Sequence, residues 1–405
     1  MRVCPKSCRA AAGLAWLGLG WLGLAWLGLA WLGWAWLELP GGVACAQSSP
    51  AVEARAGGAG DAAVGVAGEI AGSSGVGVDA VLDAGLEATL AGIAKAHHGK
   101  VAMYATHLNT GKTVGLDPDA VVQTASVIKL TILFEAMEQV REGKAHWDDK
   151  VTLAAGDAVP GSGLLLFMDT PLTLTLKDVL TLMVVMSDNT ATNLAIDRIG
   201  LDAVNARIAW MGLKDTHLYK KIGKPATEAM PADQAKYGLG KTTPREMAEV
   251  MERIGRCELA GPGEAAAANA GGTGAGGLSA NDAAICEVAM HMLRNQFYRD
   301  TIPRYLEKLD ATETGSGTAS KTGSLNAVRA DVAIVAGKTG PMVLSIFTYD
   351  NADTGWTADN EGELTIAKLA RAIVEAWSPA GIDGKTLVPG LGLAASAKGS
   401  AAASK

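Results

Sequence analysis

Apolar residues recur at the three- and four-residue spacing of an amphipathic helix through the middle of the chain. A first helix is predicted to begin near Asp79 and to end by Gly99. The same spacing predicts helices over residues 126–142, 176–186, 190–199, 202–211, 244–256, 281–295 and 362–377. The central part of the chain is therefore predicted to be mainly helical.

Strand-like apolar runs lie towards both ends of this helical region. Val101–Leu108 precedes it, and so does Val114–Val122, a second strand around an Asp117-Pro118-Asp119 turn. Val328–Val335 and Met342–Tyr349 follow it. Strands that enclose a helical middle indicate an α+β fold. We predict one antiparallel sheet built from both chain ends and flanked by helices, with an inserted all-helical lobe. The site is expected in the cleft between the lobe and the sheet.

The first 46 residues have the features of an export signal. A short basic head precedes an uncharged run from Ala10 to Leu37, in which a tryptophan-containing pentapeptide repeats. Ala44-Cys45-Ala46 supplies the small residues of a signal peptidase site, so we predict cleavage before Gln47 and a periplasmic or secreted location. Two alternatives stay open, an uncleaved membrane anchor and lipidation of Cys45, and only these place the protein at a membrane.

Composition divides the rest of the chain into three parts. Residues 47–78 form an Ala/Gly-rich linker, residues 79–380 the folded domain and residues 381–405 a flexible tail. Within the domain, residues 258–280 are interpreted as a low-complexity insertion.

Composition also excludes several classes of function. The chain has 405 residues, of which 49% are apolar and 19% charged, as expected for a globular protein. Its net charge of -7, and the lack of a basic block beyond the first ten residues, argue against a nucleic-acid partner. The six histidines show no metal-binding spacing, so we predict no metal site and no cofactor. We also expect a monomer.

Two cysteines, Cys257 and Cys286, follow the leader and bracket the insertion. An oxidising compartment permits them to pair. The sequence leaves open whether they form a disulfide or remain two separate buried thiols.

Ser126-Val127-Ile128-Lys129 is the first of three short motifs with candidate chemistry. A serine hydroxyl becomes a strong nucleophile only when a base takes its proton. Ser126 stands where a helix is predicted to start, and Lys129 follows one turn later on the same side. Apolar neighbours bury this helix, and a desolvated lysine can lose its proton near neutral pH.

Ser187-Asp188-Asn189 lies at the break between two predicted helices. Short polar side chains at such a break can point into a cleft, where Ser187 could relay a proton and Asn189 could hold a substrate amide. The alternative is a capping turn for the helix that begins at Thr190.

Lys-Thr-Gly occurs at residues 321–323 and again at residues 338–340. The second copy lies between two apolar runs and is interpreted as a hairpin turn with its lysine in solvent. The first copy precedes a strand and is surrounded by small residues, which let a ligand approach the backbone. Lys321 and Thr322 can then bind a carboxylate, and Gly323 leaves room for it.

Together, and in this order, the three motifs resemble those of class A β-lactamases and the related penicillin-binding serine peptidases. Three further segments resemble segments of the family in their residue types: Pro160-Gly161-Ser162-Gly163, Thr192-Asn193-Leu194 and Thr242-Thr243-Pro244. The resemblance extends over roughly residues 79–380.

The resemblance implies a catalytic role for four positions. Ser126 resembles the acylated nucleophile, Lys129 its base and Ser187 the proton shuttle. The oxyanion hole is implied to be the backbone N–H groups of Ser126 and Ser324.

The resemblance also implies the residues that bind the substrate. Asn189 resembles a ligand of the substrate amide, and Lys321 with Thr322 resembles the carboxylate clamp beside Gly323. Arg329, just downstream, is either a further source of positive potential or a surface residue.

One element of the family is not reproduced. The family's lactamases carry Glu-x-x-Leu-Asn on a loop before the Thr-Pro helix, and that glutamate activates the water that frees the acyl-enzyme. Glu228 is the only glutamate between Asn189 and Pro244, and Leu and Asn do not follow it at the expected offsets. Glu228 is therefore either catalytic in an altered setting or an exposed loop residue, and deacylation is less well supported than acylation.

These features indicate an exported serine hydrolase that opens a β-lactam amide through a Ser126 acyl-enzyme. Two alternatives remain: a D-alanyl-D-alanine peptidase, and a penicillin-binding relative that is acylated but deacylates slowly. The expected partner is a small-molecule β-lactam or a cell-wall peptide.

Overall fold

The computed structural model describes residues 81–227, 230–259, 278–388 and 390 of the chain. The predicted leader and linker, and most of the predicted insertion and tail, lie outside these residues, and so does Glu228. Among the residues described, no helix is both long and apolar enough to cross a membrane.

The two longest strands lie near the end of the domain. They span Val81–Leu82 (β1), Lys100–His107 (β2), Lys112–Leu116 (β3), Val122–Gln123 (β4), Lys150–Leu153 (β5), Leu172–Thr175 (β6), His217–Leu218 (β7), Gly240–Thr242 (β8), Thr318–Leu325 (β9), Val328–Gly337 (β10) and Gly340–Tyr349 (β11). A six-stranded sheet has the order β1-β3-β2-β11-β10-β9. Its pairs are antiparallel except for β1 with β3, so the predicted α+β fold with a sheet from both chain ends is confirmed.

The helices lie mainly between the two groups of sheet strands. They span Ala84–Lys95 (α1), Lys129–Arg141 (α2), Leu176–Val185 (α3), Asn189–Ile199 (α4), Leu201–Trp210 (α5), Gln234–Tyr237 (α6), Pro244–Arg256 (α7), Ala280–Arg294 (α8) and Glu361–Trp377 (α9). Short 3₁₀ turns lie at Ala125–Ile128, Leu165–Phe167, Ile302–Tyr305 and Gly384–Thr386. Helices α3, α4, α5, α7, α8 and α9 lie within one residue of their predicted bounds at each end.

The long strands β10 and β11 form the centre of the sheet. Every residue of β10 is buried, and both α7 and α9 pack against this strand pair. The two strands are joined at Lys338 and Thr339, so the second Lys-Thr-Gly copy is a hairpin turn with an exposed lysine, as predicted.

Helix α2 is the core of the helical lobe. Eleven of its residues are buried, and it packs against α4, α5 and α8. Because it is enclosed on most sides, its polar side chains need partners inside the protein. Arg207 on α5 supplies one, because its guanidinium lies 2.8 Å from the Glu135 carboxylate.

Three sequence predictions differ from the structure. The run Val114–Val122 turns at Asp117, with a φ of 44°, as predicted, but its end is not part of the same strand, because β4 joins a separate sheet with β8 and β7. The predicted first helix is shorter, because Asp83 caps it at its start by accepting a hydrogen bond from the Leu86 N–H. The helix predicted over 126–142 begins as the 3₁₀ turn and becomes α-helical at Lys129.

The start of the predicted flexible tail is also corrected. In the segment 381–388, Gly381, Ile382, Gly384 and Leu387 are buried, whereas Lys385 and Val388 are exposed. Ile382 bridges to Asp310 and to Gly337 at the end of β10, and it is fully buried. Leu387 is buried as well, so apolar contacts hold a segment that its Gly-rich composition suggested was loose.

Cys257, which follows α7, is bonded to Cys286 on α8. Their Cα atoms are 5.8 Å apart. The alternative of two separate thiols is therefore wrong, and the disulfide fixes the two helices that flank the insertion.

Candidate active site

Ser126 lies on the 3₁₀ turn between β4 and α2, half-buried at the base of the cleft. Ala125, directly before it, has a φ of 44°, which is a strained conformation for a residue with a side chain. Gly323 on β9 passes so close that a Cβ there would lie 2.9 Å from the Ser126 nitrogen. Glycine at position 323 is therefore needed for the strand to approach the turn.

Lys129 stands one helical turn after Ser126 and is fully buried. Its Nζ donates hydrogen bonds to the Ser187 carbonyl at 2.7 Å, to Ser187 Oγ at 3.1 Å and to Asn189 Oδ1 at 3.2 Å. Burial lowers the pKa of Lys129 well below its ordinary value, and the nearby charge of Lys321 lowers it further. The environment of Lys129 thus favours its neutral form, which is the form that can act as a base.

Ser187 lies between two buried lysines. Lys129 Nζ and Lys321 Nζ are each 3.1 Å from its hydroxyl oxygen. Burial lowers the pKa of Lys321 to about 7. Because both lysines are desolvated and share one acceptor, the arrangement disfavours two full positive charges at the same time.

Asp188 connects the motif to the loop that forms one wall of the cleft. One of its carboxylate oxygens accepts the N–H groups of Leu164 and Leu165 at 2.6 and 2.8 Å, and the other caps α4 through the Ala191 N–H at 2.8 Å. Gly163 has a φ of 115°, and a Cβ there would overlap the Asp188 carboxyl group. The capping alternative raised from sequence is thus correct for Asp188, while its neighbours face the cleft.

Asn189 points into the cleft from the first turn of α4. Its amide nitrogen donates to the Pro160 carbonyl at 3.1 Å, and its oxygen accepts from Lys129. Ser162 donates to the Ser187 carbonyl at 2.6 Å. The loop carrying Pro160 and Ser162 therefore holds the Ser-Asp-Asn motif in place.

Strand β9 supplies the opposite wall through Thr322, Gly323 and Ser324. Lys321 is fully buried beneath this wall and donates to the Thr322 carbonyl at 2.7 Å. The structure therefore brings the predicted nucleophile, base, shuttle and clamp residues to one place, and Glu228 alone among the predicted site residues lies outside the described part of the chain.

Two charged residues are buried beside the clamp, and one of them, Asp331, was not recognised from sequence. Asp331 pairs across the sheet with Thr322 and accepts hydrogen bonds from the Thr301 hydroxyl at 2.7 Å and the Ile302 N–H at 3.1 Å. Burial raises its pKa to about 6. Arg329 is fully buried with its Nε 3.0 Å from Glu363, so the alternative of a surface arginine is wrong.

The cleft has a volume of about 950 Å³. Its third wall is the loop between β7 and β8, which contributes residues 220–223 and 237–239. The carboxylates that line the described part of the cleft are Asp300 and Glu363, both on the side of Arg329 rather than on this loop.

The sequence profile of the β-lactamase enzyme family matches residues 85–269 and 279–377 of the chain. A solved β-lactamase from Sphaerobacter thermophilus is 30% identical, with a TM-score of 0.56, and the match covers 72% of this chain and 97% of that one. The solved protein PBP-A has a TM-score of 0.58 at 22% identity, over 74% of this chain and 98% of that chain, which shows a shared fold.

A curated relative, the β-lactamase regulatory protein BlaB of Streptomyces cacaoi, is 27% identical over 133 residues. The match covers 32% of this chain and spans only 42% of that relative. The family match, by contrast, takes in the whole of the cleft described above. The chain belongs to the β-lactamase enzyme family.

Proposed function

We propose that this protein is an exported serine hydrolase that opens the amide bond of a β-lactam through an acyl-enzyme on Ser126. The observation that carries the proposal is the full burial of Lys129 one helical turn from Ser126, which lowers the pKa of the lysine well below its ordinary value. A neutral lysine can accept the hydroxyl proton, whereas an ordinary surface lysine is already protonated at pH 7. Membership of the β-lactamase family supports the substrate class.

Acylation proceeds in three proton transfers. The Lys129 amine takes the proton of the Ser126 hydroxyl, and the serine oxygen attacks the lactam carbonyl carbon. The backbone N–H groups of Ser126 and Ser324 stabilise the oxyanion that forms. As the C–N bond breaks, the leaving nitrogen takes a proton from the Ser187 hydroxyl, and the Lys129 ammonium returns one to Ser187 across their 3.1 Å hydrogen bond.

The substrate carboxylate binds at the β9 wall. Thr322 offers its hydroxyl there, and the positive charge of Lys321 lies beneath it. Asn189 holds the side-chain amide of the substrate from the opposite wall. These contacts place the lactam carbonyl over Ser126, which is the orientation that the attack requires.

A second candidate is a penicillin-binding relative, such as a D-alanyl-D-alanine peptidase, that deacylates slowly. It is favoured by the position of the cleft carboxylates, because Asp300 and Glu363 lie on the Arg329 side and Glu363 is already paired with Arg329. Deacylation therefore depends on Glu228 or on another group to activate water.

Intact-mass spectrometry with benzylpenicillin tests both candidates. We expect wild-type protein to gain the mass of one penicillin and the Ser126→Ala variant to gain none. Loss of the adduct within seconds supports the lactamase, and an adduct that persists for an hour supports the slow-deacylating relative. The absence of both an adduct and benzylpenicillin hydrolysis with wild-type protein, or an adduct on Ser126→Ala, would overturn the role of Ser126.

Export is a separate part of the proposal and rests on the composition of residues 1–46. N-terminal sequencing of the protein recovered outside the cytoplasm should begin at Gln47. A mature protein that retains the leader would replace export and cleavage with membrane anchoring.

A further inference from the structure

Eight large apolar side chains are exposed in the described part of the chain, and two of them, Leu325 and Trp356, lie in the cleft. Trp356 is 67% exposed and Leu325 is 39% exposed. Single exposed apolar residues on a surface are ordinary, but a pair that faces a concave site is typical of ligand binding.

The loop that presents Trp356 is tightly fixed. Asp353 accepts hydrogen bonds from the Gly355 N–H at 2.9 Å and from the Glu361 N–H at 2.8 Å. Asn360 donates to the carbonyls of Asp353 and Gly355 at 3.1 and 3.0 Å. The backbone that carries Trp356 is therefore held in place before any ligand arrives, and little backbone entropy is lost when a ligand packs against the indole.

The buried side chain of Arg329 contacts both segments that carry the two apolar side chains. Its guanidinium carbon lies 4.9 Å from the centre of the Trp356 ring, and it donates to the carbonyls of Gly355 and Leu325. Its charge is paired with Glu363 at 3.0 Å. One face of the indole is thus covered by a cation whose charge is compensated, which leaves the other face free to stack.

The position of Arg329 in the sheet determines at which end of the cleft Trp356 lies, and so which part of a substrate can reach the indole. Arg329 lies directly opposite Ser324, and Asp331 lies opposite Thr322. Side chains at alternate strand positions point to the same face, so Arg329 is on the face that carries Thr322 and Ser324. Trp356, stacked on Arg329, therefore lies at the carboxylate-binding end of the cleft.

We infer that Trp356 and Leu325 form a subsite for a flat, uncharged aromatic ring attached next to the substrate carboxylate, which stacks on the free face of the indole. In a cephalosporin, the substituent at C3 is the group beside the C4 carboxylate. The inference rests on the proposed function, because it takes the carboxylate at Thr322 as its reference point. Aromatic stacking adds affinity beyond the area that it buries.

Two cephalosporins with the same C7 side chain test the subsite. Nitrocefin carries a dinitrostyryl group at C3, and cephalothin carries an acetoxymethyl group there. Their dissociation constants are measured by calorimetry on the Ser126→Ala protein, so that acylation does not enter the result. In the same background, Trp356→Ala is expected to reduce the preference for nitrocefin about tenfold, and Trp356→Phe by less than about threefold, as stacking energies of this size imply.

Phe297→Ala is the matched control, because Phe297 is 64% exposed and does not line the cleft. It should leave the preference unchanged. Binding of both compounds with the same preference before and after Trp356→Ala would overturn the subsite alone. Absence of binding by either compound would overturn the proposed substrate class and the subsite with it.

Discussion

Lys129 holds Ser187 by two hydrogen bonds, one to its backbone carbonyl at 2.7 Å and one to its hydroxyl at 3.1 Å. The backbone of Ser187, which accepts both, is left-handed, with a φ of 52°. This conformation is unfavourable for serine by roughly 1–3 kcal/mol and needs support from its surroundings. The contact links the proposed base for Ser126 to the proposed proton donor for the leaving nitrogen, so a proton can pass between them without a large movement.

Replacing Lys129 tests the base. Lys129→Met is expected to lower the second-order rate constant for acylation by benzylpenicillin about 10²- to 10⁴-fold, the usual contribution of a general base. Lys177→Met is the control, since Lys177 is exposed on α3. An unchanged acylation rate in Lys129→Met would remove this lysine from the mechanism.

Adding one methyl group at Gly163 tests the support of the motif by Asp188. Gly163→Ala forces a side chain onto a φ of 115° and into the Asp188 carboxyl group, so both strain and overlap are expected. We expect a loss of about 2–4 kcal/mol in the free energy of unfolding, and a drop in acylation rate, measured by denaturant unfolding and single-turnover kinetics.

Gly143→Ala separates strain from overlap, because Gly143 has a φ of 70° but no atom within 4 Å of an added Cβ. It should cost only about 1 kcal/mol, the usual penalty for alanine at positive φ, and leave acylation intact. Equal effects of the two substitutions on stability and on rate would show that Asp188 does not organise the site through this contact.

Local patterns in the sequence were sufficient for the helices and for the three motifs. Helical spacing placed α7 at residues 244–256, because one face of that helix is apolar along its whole length. The resemblance of the three motifs to those of the family implied that Ser126, Ser187 and Lys321 meet, although Lys321 is 134 residues from Ser187.

Features that depend on distant partners were not predictable in this way. Asp331 is an acid within an apolar strand, and its role is visible only once Thr301 and Ile302 are seen to donate to it. From the sequence alone, a surface position for Arg329 stayed open, because its partner Glu363 lies on another element. The left-handed backbone at Ala125 has no local sequence marker either, since it is imposed by the surrounding packing.

The disulfide between Cys257 and Cys286 should stabilise the domain by limiting its unfolded state. Its sequence separation of 29 corresponds to about 3–4 kcal/mol on the loop-closure estimate. The double variant Cys257→Ser/Cys286→Ser should therefore unfold at lower denaturant concentration than wild-type protein. Wild-type protein in a reducing agent should move towards the variant, and coincident unfolding curves for oxidised wild type and variant would argue against the bond in solution.

The pKa of Lys321 predicts how substrate affinity changes with pH. Burial lowers this pKa to about 7, so the lysine is charged below pH 7 and increasingly neutral above it. A carboxylate binds best to the charged form. The dissociation constant of cephalothin for the Ser126→Ala protein should therefore rise several-fold between pH 6.5 and 8.5, and Lys321→Met should bind weakly at both values.

The same pKa predicts the pH dependence of stability. In the unfolded chain Lys321 has the ordinary lysine pKa of 10.5, so between about pH 7 and 10.5 the unfolded state binds more protons than the folded state. The free energy of unfolding therefore rises with pH across that window, and the destabilising effect of buried Lys321 is fully present below pH 7.

Urea unfolding of wild type and Lys321→Met at pH 6.5 and 9 tests this dependence. The variant should be more stable than wild type by up to a few kcal/mol at pH 6.5, and most of that difference should disappear at pH 9. A stability difference between the two proteins that does not change with pH would mean that Lys321 keeps its proton in the folded protein. A buried lysine that stays charged needs a negative partner that is also charged over this pH range, and Asp331 is the candidate across the sheet.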